Sequence, residues 1–289
     1  MSTNLLDLSE KIDGYLVDIF EIIANVANSA NAPFFVVGAT ARDMILIHGY
    51  GIEPKRRTED IDFGIQVSDW DRFNKLKNGL IATEKFRLTE NPQRLLYEKD
   101  LKVDLIPFGK IADPDYSISW PPDHQMVMST LGFDESYHHS LTVRLRSNPI
   151  FEIKFASLSG IVLMKLISWN DHYPSFSRDR DAKDIIFIMR NYLDAGNLER
   201  LYNKEVDIVE KSGSDYDRFG ARLLGRDIAS ITHTKTLEII LKILERETGE
   251  QDRYRLVEDM RDKISALGDD FDERLKLLEE LKAGILDRL

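Results

Sequence analysis

Apolar side chains recur at intervals of three and four from Leu5 through Leu8, Ile12, Leu16, Ile19 and Ile23 to Val26, a spacing that predicts an amphipathic helix over residues 5–28. Asn28 to Pro33 ends it. Phe34-Phe35-Val36-Val37 is a short β-rich run that stops at Gly38, which reads as a buried strand entering a tight turn. Ala41 to His48 reads as helix, and Gly49 to Arg57 as a loop carrying the basic cluster Lys55-Arg56-Arg57. Ile61, Phe63, Ile65 and Val67 then alternate with Asp60, Asp62, Gly64 and Gln66, the period of a half-buried strand. Ser68 or Asp69 caps a helix running to about Asn78. Leu95-Leu96-Tyr97 and Leu101 to Phe108 read as strands joined at a Lys99-Asp100 turn. Pro107, Pro114, Pro121 and Pro122 mark a loop-rich stretch, and Ser140 to Arg146 and Phe151 to Phe155 read as the last strands.

From Ser157 onward the period is helical, with helices expected at 157–170, 179–193, 197–211, 217–230, 234–247 and 252–287. The pattern gives an α+β fold: a mixed sheet flanked by helices over residues 1–156, then a helical domain over 157–289. A chain of 289 residues is long enough for both.

Composition narrows the function. A net charge of -11 and a pI near 5.1 exclude a broad basic surface for non-specific nucleic-acid binding, although a local basic groove stays open. The absence of cysteine excludes disulfides and thiolate metal sites. Met1 to Glu10 lacks the basic and apolar blocks of a signal peptide, and no apolar run reaches membrane-spanning length. The expectation is a soluble cytoplasmic protein with no membrane part.

The candidate chemistry lies on the alternating strand. Asp60 and Asp62 are two apart, so their side chains share a face while Ile61 and Phe63 anchor the other. Two adjacent carboxylates repel and call for cations in a partly enclosed site. Hard oxygen ligands and a phosphate substrate point to Mg²⁺ or Mn²⁺. The alternative is an exposed edge strand with solvated acids. A third acid, Asp104, sits inside the apolar run Lys102-Val103-Asp104-Leu105-Ile106-Pro107-Phe108, where an unpartnered carboxylate is costly to bury. Three acids on neighbouring strands can hold two cations about 4 Å apart, the spacing of in-line phosphoryl displacement. Asp104 also qualifies as general base on an incoming hydroxyl. Its bland reading is a salt bridge to Lys102 or Arg144.

Gly38-Ala39-Thr40-Ala41-Arg42-Asp43 follows a strand and opens a helix. Small residues there let a phosphate approach backbone N–H groups at a positive helix end. Thr40 offers a hydroxyl to a phosphate oxygen or serves as a helix cap. Arg42 contacts the triphosphate, or pairs with Asp43 or Asp60.

Gly38-Ala39-Thr40 followed by Asp60-Ile61-Asp62-Phe63 resembles the signature of the DNA polymerase beta-like nucleotidyltransferase superfamily. There a Gly-Gly or Gly-Ser turn precedes a strand with two alternating acids, and a third acid lies on a later strand. Ala39 stands where that family usually has glycine or serine, which leaves Thr40 to supply a hydroxyl. A second stretch, Leu163-Met164-Lys165-Leu166-Ile167 followed by Arg178-Asp179-Arg180-Asp181-Ala182-Lys183-Asp184-Ile185, is similar to the Lys and (R/K)-D-x-x-D motifs of the AbiEii/AbiGii toxin family. The resemblance covers roughly residues 20–195. It implies transfer of a nucleoside monophosphate from an NTP to a tRNA 3′ end or a protein hydroxyl, by the toxin of a bacterial toxin–antitoxin or phage-defence pair with a cognate antitoxin. It also implies that Lys165 contacts the NTP phosphates, and that Asp184 orients Lys165 or contacts the nucleotide. Read from the residues alone, Lys165 is a cation in an apolar helix that needs a partner or snorkels to the surface.

Lys55-Arg56-Arg57, Arg178, Arg180 and Lys183 are candidates for gripping a polyanionic acceptor, or are solvated. His138-His139 is no metal pair if the two lie on a strand, where neighbours point to opposite faces. Trp120 is a packed loop aromatic or a base-stacking one. The charged residues of 245–289 read as the solvated face of helices. Rival readings of the same acids are a degenerate nucleotide-binding or protein-interaction module, and a metal-dependent phosphodiesterase.

Overall fold

The structure, a computed structural model, describes residues 5–54, 58, 60–171, 179–213, 215–249, 254–261 and 270–289. The cluster Lys55-Arg56-Arg57 and Arg178 lie outside the described residues. The chain divides into two compact units, Met1–Ser157 and Leu158–Leu289.

The first unit runs β1 (Leu5–Asp7), α1 (Gly14–Ala30), β2 (Phe34–Val37), α2 (Gly38–Asp43), β3 (Asp60–Gln66), α3 (Trp70–Ile81), β4 (Phe86–Leu88), β5 (Arg94–Tyr97) and β6 (Leu101–Phe108). It continues with β7 (Ser117–Ser119), β8 (Val127–Ser129), α4 (Phe133–His138), β9 (Leu141–Ser147) and β10 (Ile150–Phe155). A π-helical turn, Met44–Gly49, extends α2. Eight strands form one mixed sheet in the order β1-β9-β10-β2-β3-β6-β5-β4, and β7 and β8 make a separate hairpin. β3 lies between β2, its antiparallel neighbour, and β6, its parallel one.

The alternation along β3 explains its place. Ile61, Phe63 and Ile65 are buried, and Phe63 meets Phe20 of α1 edge-on with ring centroids 5.9 Å apart. Phe20 also packs on Phe155 of β10 at 5.8 Å, so one aromatic ties α1 to both strands. On the other face Gly64 leaves room for Phe35: a Cβ there would come within 2.3 Å of the Phe35 ring.

Several expected boundaries move. The first helix begins at Gly14, where the Asp13 carboxylate accepts from the Tyr15 N–H at 2.8 Å, and Leu5–Asp7 instead pairs in parallel with β9. Local spacing carried the helical signal back to Leu5, but the cap and the open edge of β9 decide the outcome. Asp69 caps α3, which runs three residues beyond Asn78. β4, β7 and β8 form in stretches without a strand signal. His138 ends a helix rather than lying on a strand, and both histidines are exposed.

The second unit contains α5 (Leu158–Asp171), α6 (Asp179–Asn191), α7 (Leu198–Lys204), α8 (Asp207–Lys211), α9 (Tyr216–Ile231), α10 (Thr234–Thr248), α11 (Arg255–Asp259) and α12 (Phe271–Leu286). The helix expected over 197–211 breaks at Glu205, whose carboxylate accepts from Arg226 and Arg288. The one expected over 252–287 is two helices, and residues 262–269 between them lie outside the described ones. α9 and α12 cross with their backbones touching, because a Cβ on Gly225 would lie 2.2 Å from the Leu281 carbonyl and one on Gly284 2.0 Å from that of Arg222. Among the described residues, no helix is long and apolar enough to cross a membrane.

Candidate active site

Three strands bring the acids together. Asp62 of β3 is the register partner of Asp104 on β6, and Asp104 is in turn opposite Arg94 on β5. Asp60, two residues before Asp62, falls on the same face. One carboxylate oxygen from each of Asp60, Asp62 and Asp104 lies within 4.8 Å of the others, the one such group of metal-ligating side chains among the described residues. The donors are all hard oxygens, which fits a divalent cation of the Mg²⁺ or Mn²⁺ kind.

The turn after β2 is built around this cluster. Gly38 adopts φ +66°, and a Cβ there would lie 2.3 Å from Asp62 Oδ2. Ala39 is half-buried and offers only a methyl. Thr40 does not present its hydroxyl outward: it is buried, and its Oγ1 donates to the Asp60 carbonyl at 2.7 Å. Arg42 is buried too, with Nε and Nη2 donating to Asp43 Oδ1 at 2.7 and 2.5 Å. Both side chains, expected at the phosphates, make internal hydrogen bonds here. Asp43 Oδ2 accepts from the Thr58 N–H at 3.4 Å, and Thr58 Oγ1 donates to Asp60 Oδ1 at 2.7 Å. Thr40, Arg42 and Asp43 thus set the position at which β3 starts. A helix-opening Thr and Arg after a glycine turn look the same in sequence whether they face a ligand or the core.

The partner of Asp104 is neither Lys102 nor Arg144. Arg94 Nε donates to Oδ1 at 2.7 Å and Nη2 to Oδ2 at 2.6 Å, a bidentate pair, while Nη2 stands 4.0 Å from Asp60 Oδ2. Arg144 is engaged with Glu152 at 2.8 Å and Asp7 at 3.3 Å. The hydrogen bonds to Asp104, with the charges of Asp104, Asp60 and Asp62 behind them, hold the Arg94 guanidinium above its ordinary pKa against the opposing effect of burial. Arg94 carries no motif in the sequence, but the hairpin spacing marks it. A hairpin whose last pair is Tyr97 with Leu101 sets Arg94 opposite Asp104 by stepping back three residues on each strand.

In the second unit Lys165 of α5 is nearly enclosed, and its ammonium reaches two carboxylates on α6, Asp181 Oδ1 at 2.9 Å and Asp184 Oδ2 at 2.7 Å. Asp181 also accepts from the Ser168 hydroxyl at 3.0 Å. Burial alone would lower the lysine pKa, but the two carboxylates outweigh it and raise it well above 10.5. Asp181, the first acid of the Arg180-Asp181-Ala182-Lys183-Asp184 stretch, is three residues from Asp184, a spacing that puts both on one helix face. Lys183 pairs with Asp179 at 2.5 Å. Trp120 is buried against Trp70, 5.3 Å between centroids, and Phe73, 5.7 Å, so it is core and not a stacking platform for a base.

A mixed sheet that carries three clustered carboxylates beside a glycine turn, followed by a helical unit, is the nucleotidyltransferase fold. The family model described as nucleotidyl transferase AbiEii toxin, type IV toxin–antitoxin system, matches residues 22–277. The chain belongs to that family and is a nucleotidyltransferase. Among solved structures it is similar to an antigenic nucleotidyltransferase-like protein from Paracoccidioides brasiliensis, at 16% identity over 66% of this chain and 89% of that one, TM-score 0.38. It is also similar to ANT(2″)-Ia in complex with adenylyl-2″-tobramycin, at 14% identity over 69% and 99% of the two chains, TM-score 0.38. A third is JHP933 from Helicobacter pylori, at 14% identity over 94% and 90%, TM-score 0.35. At such scores these likenesses carry no argument, and the assignment rests on the family match. No curated protein matches the chain.

Proposed function

We propose that the enzyme transfers a nucleoside monophosphate from an NTP to a hydroxyl acceptor, with Mg²⁺ or Mn²⁺ held by Asp60, Asp62 and Asp104. The observation that carries this reading is the convergence of the three carboxylates within 4.8 Å on one sheet face. Such a cluster is unfavourable unless cations share it. The bound ion would neutralise charge on the phosphoryl oxygens and align the displacement.

The chain's own groups have distinct parts. Gly38 and Ala39 leave room for a triphosphate to approach the backbone, and Thr40, Arg42 and Thr58 hold Asp60 in place from within. The acceptor oxygen attacks the α-phosphorus, the bond to the bridging oxygen breaks, and pyrophosphate leaves. The hydroxyl proton passes to Asp104. Lys165, kept charged by Asp181 and Asp184, contacts the NTP phosphates in this reading. The family, described as a toxin of a type IV toxin–antitoxin system, supports a toxin role with a cognate antitoxin; in this reading the acceptor is a tRNA 3′ end or a protein hydroxyl.

The test incubates the protein with each labelled NTP, Mg²⁺, total tRNA and lysate protein. Label is expected in RNA or in protein with wild type and in neither with Asp60→Ala. Wild type that labels neither, with any NTP, overturns the proposal.

A further inference from the structure

Arg94 occupies both oxygens of Asp104, the same atoms that a metal ion or an acceptor proton would need. Its guanidinium is the cation already in the cluster, 4.0 Å from Asp60 as well. A planar fork satisfies a carboxylate on two sides at once, which leaves Asp104 little capacity for a further cation on the same lone pairs.

The backbone around Arg94 is fixed. Its N–H donates to the Asn91 carbonyl at 3.0 Å, and its own carbonyl accepts from Thr89 Oγ1 at 3.1 Å. The Leu105 N–H donates to the Gln93 carbonyl at 2.8 Å, and Lys77 Nζ donates to that of Pro92 at 2.6 Å. The arginine side chain, in contrast, is a quarter exposed. It can leave Asp104 by rotation about its own torsions, with the strand unmoved.

We infer that Arg94 is a resident counter-ion that competes with the divalent metal for Asp104. It offsets one of the cluster's three negative charges while no metal is bound, and it must swing off Asp104 before that carboxylate ligates a cation or accepts a proton. The inference rests on the metal reading of the Asp60, Asp62 and Asp104 cluster. Removing the competitor therefore tightens metal binding while loosening the metal-free protein. If Arg94 instead steadied Asp104 as a ligand, its removal would weaken binding.

The experiment titrates Mn²⁺ alone into wild type, Arg94→Gln, Arg94→Lys and Asp62→Asn by calorimetry, with thermal melts in chelator and in Mn²⁺. The expected result is Mn²⁺ affinity in Arg94→Gln roughly tenfold or more above wild type, as removing a full charge within a few ångströms implies. A smaller gain is expected in Arg94→Lys, which keeps the charge and loses the fork. The melting temperature of Arg94→Gln should lie below wild type in chelator and rise more on adding Mn²⁺. Should Arg94→Gln fail to fold, the lysine variant decides the sign. Equal or weaker Mn²⁺ binding in the Arg94 variants, with wild type binding and Asp62→Asn impaired, overturns the inference and leaves the metal site standing. Folded proteins that bind no Mn²⁺ at all, wild type included, overturn the metal reading and the inference with it.

Discussion

Gly38 and Asp62 touch: a methyl in place of the glycine hydrogen would lie 2.3 Å from Asp62 Oδ2, on a backbone held at φ +66°. The turn after β2 and the second acid of β3 are therefore one unit. Asp62 can occupy its place beside Asp104 only because the residue that follows the neighbouring strand, Gly38, has no side chain.

Gly38→Ala should displace the Asp62 carboxylate. Activity is expected to fall by roughly two orders of magnitude, the usual scale for misplacing a reacting group by about an ångström. Stability should fall by about 1 kcal/mol or more from the positive φ alone. A transfer assay paired with a urea melt checks both, and unchanged turnover would show that Asp62 does not need this position.

Thr40→Val removes a buried donor and leaves the Asp60 carbonyl without that partner. The expected cost is about 1–2 kcal/mol of stability, with KM for NTP nearly unchanged. A large KM increase without loss of stability would place the Thr40 hydroxyl at the phosphates.

Lys165→Met strips the cation from two nearly buried carboxylates and should cost about 3–5 kcal/mol at neutral pH. The sign of the pH dependence follows from the raised pKa. The folded value lies above 10.5, so this stabilisation is fully present below 10.5 and is lost as pH rises through the folded value. Denaturant melts of wild type from pH 7 upward should decline in that alkaline window. The same loss in Lys165→Met would assign it to another group.

If the proposed toxin role holds, Asp62→Asn should abolish growth inhibition on overexpression while leaving Mn²⁺-free stability close to wild type. Colony counts after induction, with protein levels matched, give the answer. Toxicity equal to wild type would mean that the acids do not carry it.

Gly284→Ala forces α12 away from the Arg222 carbonyl, which a Cβ would approach to 2.0 Å. A loss of about 1–3 kcal/mol is expected, the range for overpacking a close contact. Mn²⁺ affinity should stay the same. A chemical melt and the calorimetric titration separate the two effects.

By itself the chain sequence determined the elements and much of the site's raw material. Alternation along Asp60–Gln66 put Asp60 and Asp62 on one face and Phe63 on the core side, and the apolar run ending at Gly38 marked strand and turn. Lys165 and Asp184 were legible from motif and period. These are local signals, because side-chain direction repeats every two residues in a strand and every three to four in a helix. Partnership was decided elsewhere. Thr40 and Arg42 turned inward because Asp60 and Asp43 offered them acceptors there, and Leu5–Asp7 left its helical period because the edge of β9 was open. Asp104 found Arg94 because the hairpin register placed them opposite, 10 residues apart in sequence. Periodicity fixes which way a side chain points, but which atom waits there depends on how separate strands align, and only the tertiary structure settles that.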